Sequence, residues 1–210
     1  MARRMADGEF RNQQWQHRYD EHIASINSLV DELRGDSARG WAPYVAPMYG
    51  GSGARLLSLL RDPGPKTQDG EGSGFLCMEN DDPTAEAISN LFAGVGIDAG
   101  EIVPWNAYPW YINRAPKAAE LDAGVEPLKR VIELMPKLKV VMLHGGSAQD
   151  GWRRLTRRYP HLVATSGLSV IATYHTSRQA FWHPDAEVRK ARKEHLRASF
   201  DQASRVLLGS

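Results

Sequence analysis

Residues 56–65 read Leu-Leu-Ser-Leu-Leu-Arg-Asp-Pro-Gly-Pro, an apolar run of strand length that stops at a charged pair and a turn. Three more runs of the same kind follow, at Glu101–Trp105, Lys139–Leu143 and Ser169–Tyr174. Short, nearly continuous apolar runs are the mark of strands buried on both faces. Helical patterns separate them. Thr84–Val95 follows Asp82-Pro83 and sets Ala87, Ile88, Leu91 and Phe92 on one side. Val125–Met135 repeats Val125, Leu128, Val131, Ile132 and Met135 at helical spacing, Ser147–Tyr159 follows a Gly-Gly turn, and Asp185–Leu208 ends the chain with an amphipathic stretch. This alternation predicts an α/β fold, a three-layer αβα arrangement with a central, mainly parallel four-stranded sheet. Upstream, Ile23, Ile26, Leu29, Val30 and Leu33 predict helix over about residues 10–33. Gly35, Gly40 and the Pro/Gly-rich residues 41–53 then divide a helical extension (1–40) from one α/β domain (41–210).

The 210 residues fit one domain with an extension. Lys and Arg number 26 and Asp and Glu 25, a net charge of +1, so any nucleic-acid surface must be local. Arg153, Arg154, Arg157 and Arg158 form one candidate patch; Arg189, Lys190, Arg192, Lys193 and Arg197 form another, which also reads as a solvated helix face. Cys77 is the only cysteine, which excludes an internal disulfide and a zinc or iron–sulfur site built from this chain's thiolates alone. No apolar run approaches the roughly 20 residues of a membrane span. Polar residues, not an apolar stretch, follow Arg3-Arg4, so no signal peptide is expected and the protein reads as cytoplasmic.

In parallel α/β sheets the site lies at the carboxyl ends of the strands. After the first run stand Asp62-Pro63-Gly64-Pro65 and then Gly72-Ser73-Gly74-Phe75. They read either as a tight turn with a core aromatic, or as a strand-end carboxylate, a loop that approaches a ligand closely and a stacking platform. After the second stands Asn106, either a turn residue or an amide able to read a base edge. His144-Gly145-Gly146-Ser147 reads as a glycine turn into a helix, with His144 a satisfied strand-end histidine. His175-Thr176-Ser177-Arg178 gathers an imidazole, two hydroxyls and a guanidinium, groups suited to phosphate and to acid–base work. Asn80, five residues after Phe75, competes for a place in the site, but is expected in the loop ahead of the next helix. A P-loop, a G-x-G-x-x-G fingerprint, a zinc pattern and a G-x-S-x-G elbow are all missing.

Taken in order, these parts resemble the uracil-DNA glycosylase superfamily over roughly residues 55–182. Asp62-Pro63-Gly64-Pro65 with downstream Phe75 is similar to its first motif, Asn106 to the asparagine ending its second strand, and His175-Thr176-Ser177-Arg178 to its His-Pro-Ser-like loop. Gly64 stands where the best-known branch has a tyrosine, and Thr176 where a proline is usual. Pro63-Gly64-Pro65 is more like branches that carry Asn at the position of Asp62, so the chain resembles a divergent branch, without an iron–sulfur cluster. The resemblance implies a monomeric, monofunctional enzyme that flips uracil out of DNA and hydrolyses its N-glycosidic bond, with no metal or organic cofactor. Asp62 would stabilise the cationic sugar and orient water, and His175 would stabilise the departing base. Phe75 would stack on the base in a pocket shaped by Gly64 and Pro65, and Asn106 would donate to and accept from its edge. Thr176, Ser177 and Arg178 would contact DNA, Arg178 as a wedge or a phosphate ligand. Another deaminated base, hypoxanthine or xanthine, or an inert DNA-binding relative, remains an alternative.

Overall fold

The computed structural model describes residues 3–36, 38–164 and 167–209. In chain order the elements are α1 (Gly8–Gln16), α2 (Glu21–Arg34), β1 (Tyr44–Val45), β2 (Leu56–Leu60), β3 (Phe75–Leu76), α3 (Pro83–Gly94), β4 (Ile102–Asn106), α4 (Ala118–Glu133), β5 (Val140–His144), α5 (Gly146–Arg158), α6 (Pro160–Ala164), β6 (Ser169–Thr173), α7 (Arg178–Phe181) and α8 (Ala186–Leu208). The four expected runs form one all-parallel sheet in the order β4-β2-β5-β6. Pro104 sits in β4, an edge strand, where a missing backbone donor is tolerated. A second, two-stranded parallel sheet pairs β1 with β3.

Every residue of β4 and β5 is buried, so helices must cover both faces of the sheet. Strand register sorts the two faces. Leu56, Ser58 and Leu60 align with Ile102, Pro104 and Asn106, and Leu56 and Ser58 with Val140 and Met142. Alternation puts these side chains and His144 on one face. His144 there meets Phe200 of α8, with ring centroids 5.9 Å apart. The opposite face carries Leu57, Leu59, Val103, Trp105, Val141 and Leu143. Helices α4 and α5 pack against each other and on the sheet.

The N-terminal helix is two helices, not one. His17–Asp20 interrupts it, and the backbone N–H groups of Ile23 and Ala24 restart the ladder on the Asp20 carbonyl. The break lets two faces serve two partners. Trp15 turns onto Phe75, at 4.8 Å between centroids, and donates to the Ser73 carbonyl at 3.1 Å. Ile23, Ile26, Leu29 and Val30 enter the same hydrophobic core as the sheet. Asn27 holds β1 by both ends of its amide: Oδ1 accepts from Val45 N at 2.9 Å and Nδ2 donates to Val45 O at 3.0 Å. No helix among the described residues is long and apolar enough to cross a membrane.

Candidate active site

The carboxyl ends of β2, β4, β5 and β6 open on a cavity of about 600 Å³, within the range usual for small-ligand sites. Asp62, Gly64, Pro65, Asn106, His144, His175 and Ser177 line it, so strand-end residues far apart in sequence converge. Each arrives by a short path. Asp62 lies two residues past β2, and the β2 exit is held to the β4 exit by Ala107 N donating to Leu60 O at 2.8 Å and Tyr108 N to Arg61 O at 3.0 Å. Asn106 is the last residue of β4, and its register with Leu60 points it to the cavity face.

Asp62 is almost wholly enclosed, with a side chain 1% exposed. Arg61 Nε donates to its Oδ1, while Oδ2 is buried without a hydrogen-bond partner. Burial pushes the carboxyl above the usual carboxylate range; the Arg61 guanidinium and the Arg114 and Asn113 backbone amides oppose this without cancelling it. A buried carboxylate with one free oxygen can stabilise a positive charge or orient a water.

His175 follows β6. Its Nδ1 accepts the Ser177 backbone N–H at 3.1 Å. A backbone amide only donates, so the neutral ring carries its proton on Nε2. Burial, and secondarily the nearby Arg61, hold this imidazole below its ordinary value, with Asp82 opposing. Gly145, at φ +85°, lets the β5 turn pass beside it; a Cβ there would come within 3.2 Å of the His175 Cβ.

His144 is a cavity residue as well. Its Nε2 lies 3.0 Å from Ser58 Oγ, while Nδ1 is buried without a partner, so the histidine is not fully satisfied as expected. Burial, reinforced by His175, lowers it to about 3 and keeps it neutral. Asn80, expected in a loop outside the site, also lines the cavity. It is 4% exposed and donates from Nδ2 to Phe75 O at 3.0 Å. Its signal was its place between an aromatic strand and the Asp82-Pro83 cap of α3, where a polar residue also suits a plain loop.

Two residues stand elsewhere than expected. Phe75 is fully buried and does not line the cavity; its ring packs on Trp15 and Tyr44. Gly74, at φ +82°, presses against Trp15, where any Cβ would lie 2.3 Å from a ring carbon, so the aromatic wall is tied to α1 rather than to a base. Leu76, Cys77 and Met78 line the cavity instead. Thr176 is buried, and its hydroxyl donates to Thr84 O at 3.3 Å, inward and away from solvent. Arg178, the first residue of α7, is exposed, and Gln179 and Ala180 line the cavity rim beside it. Trp182, just beyond, is 71% exposed.

The basic patches are partly committed to the protein. Arg153 pairs with Asp150, and Arg154 with Asp122 and Asp150. Arg192 donates to the Ala180 and Trp182 carbonyls, and Arg189 to those of His183 and Pro184, so both fasten the α7 segment. Among the described residues no three His, Cys, Asp or Glu side chains are grouped to hold a metal ion.

The description of the uracil DNA glycosylase superfamily matches residues 47–201. The chain belongs to that superfamily. In comparison with curated proteins it matches none. Membership in the uracil DNA glycosylase superfamily implies a DNA glycosylase-like function and a DNA substrate, and the match spans every strand of the main sheet.

Proposed function

We propose that this protein is a monofunctional DNA glycosylase that removes uracil from DNA. The observation that carries the reading is the convergence of Asp62, Asn106 and His175 on one cavity within a chain of this superfamily. The base leaves the stack at a cost of a few kcal/mol and enters the cavity. Asn106 Nδ2, a buried donor without a partner, donates to a base carbonyl. Gly64 and Pro65 border the base, and the absence of a side chain at Gly64 leaves room beside it.

The bond between the base nitrogen and C1′ breaks as the sugar becomes cation-like. Asp62, ionised, faces that cation and orients a water, whose oxygen bonds to C1′ and whose proton passes to the carboxylate. The base departs with the bonding electrons as an anion. The Nε2–H of neutral His175 donates to the charge developing on its carbonyl oxygen. The products are an abasic site and free base. The Ser177–Arg178–Gln179 rim, with exposed Trp182, faces the DNA. The chemistry uses this chain's own groups and requires no metal or organic cofactor.

The experiment is strand cleavage after alkali treatment of labelled oligonucleotides, single- and double-stranded, carrying one uracil, hypoxanthine, xanthine or G·T mismatch. Cutting at uracil that is lost in Asp62→Ala supports the reading. Cutting only at another base moves the substrate. No cutting at any base by folded protein contradicts the enzyme.

A further inference from the structure

The mechanism leaves Asn80, a buried polar residue of the cavity, unused. Asn80 donates from Nδ2 to Phe75 O at 3.0 Å. That carbonyl is itself fixed, accepting from Ser73 Oγ at 3.2 Å. A carbonyl only accepts, so the amide is held one way round: nitrogen toward Phe75, oxygen away from it. Asn80 Oδ1 is then a buried acceptor without a partner in a residue that lines the cavity. Asn106 Nδ2 is its complement, a buried donor without a partner in the same cavity. Buried polar groups are nearly always paired, and two opposite orphans sharing one cavity point to a ligand that supplies both partners.

We propose that Asn80 is a specificity residue whose Oδ1 accepts the ring N–H of the base, while Asn106 donates to the adjacent carbonyl. Two amides then read one lactam edge. The inference rests on the glycosylase reading and narrows it to a substrate class. Uracil, hypoxanthine and xanthine each present a ring N–H beside a carbonyl. Cytosine and adenine present a bare ring nitrogen beside an amino group, so both amides meet the wrong polarity. A site built to bond an N–H rejects an analogue lacking it more strongly than a shape-matched apolar pocket does.

The test is single-turnover base release from oligonucleotides carrying uracil or N3-methyluracil, which keeps the carbonyls and replaces the N–H. Affinity for DNA with a stable abasic analogue serves as the control, because that ligand has no base to read. The wild type is expected to prefer uracil by about a hundredfold or more. Asn80→Ala should slow uracil release by about tenfold or more, leave N3-methyluracil release and abasic affinity within about threefold, and so collapse the preference. Asn80→Asp, neutral in this buried place, turns its O–H on Phe75 O, keeps its carbonyl oxygen at the reading position and should retain the preference; it carries the test if the alanine variant does not fold. An active wild type indifferent to Asn80→Ala overturns the inference alone, as does a parallel fall in all three readouts, the mark of a structural contact to Phe75. Loss of the preference in Asn80→Asp also overturns it. A wild type inert on every base overturns the glycosylase reading, and this inference with it.

Discussion

The Ser177 backbone N–H donates to His175 Nδ1 at 3.1 Å, and this single bond decides what the imidazole can do. It commits Nδ1 as an acceptor and leaves Nε2–H as the donor toward the cavity. The ring is held below its ordinary value by burial, so it stays neutral at pH 7 and donates without carrying charge. His175→Ala should lower kcat by about 10²–10³, the usual loss for one oxyanion-type donor, with a small change in DNA affinity. Single-turnover rates and fluorescence anisotropy measure the two effects separately.

The pH profile should separate Asp62 from His175. Asp62 acts ionised, and burial raises its carboxyl above the usual range, so the acid limb of the rate should lie above that of an exposed aspartate. His175 is shifted the other way, downward, and its Nε2–H is present in the neutral and the protonated ring alike, so its titration does not remove the donor. The limb should therefore survive in His175→Gln at reduced rate and vanish in the residual activity of Asp62→Asn. A limb that disappears with His175 instead would assign the titration to the imidazole.

His144 should make the fold acid-sensitive. Its folded value of about 3 lies below that of an unfolded histidine. As pH falls the unfolded chain takes up the proton first, so the stabilisation present at neutral pH is lost on acidification. Between pH 7 and pH 5 this one group should withdraw about 2 kcal/mol. Urea unfolding at the two pH values should show the loss in the wild type and a smaller one in His144→Asn, which cannot titrate.

Gly145 should resist substitution for two reasons that act together. Its φ of +85° with ψ of 175° is a conformation that essentially only glycine adopts, and strain there is of order 1–3 kcal/mol for other residues. The added Cβ also meets the His175 Cβ at 3.2 Å. Gly145→Ala should lower Tm by several degrees and slow base release more than its loss of stability explains. Calorimetry paired with single-turnover rates tests this; unchanged rates would show that the turn does not position His175.

The four-stranded sheet was legible because strands buried on both faces are mostly apolar, as Leu56–Leu60, Ile102–Asn106 and Val140–His144 are, even though Ser169–Thr173 is only partly buried. Their ends then pointed to Asp62, Asn106 and His175, all of which line the cavity. What was not legible depends on contacts distant in sequence. The β1–β3 pair spans only two residues per strand, too few for a periodic signal. Phe75 carries the right motif, yet Trp15, sixty residues upstream, closes over its ring. Thr176 offers a hydroxyl that donates instead to the Thr84 carbonyl of α3. Asn80 has the composition of a loop residue, and only the Phe75 carbonyl that fixes its amide reveals it as part of the site.

The central claim is that this cavity hydrolyses the bond between uracil and deoxyribose. Its most direct test is chromatographic detection of free base after incubating the purified protein with DNA labelled in uracil. The account predicts release of intact uracil, leaving a strand that breaks only on later alkali treatment, with release strongly reduced in Asp62→Asn. Folded wild-type protein that binds the DNA and releases no base, or release undiminished in Asp62→Asn, would contradict it.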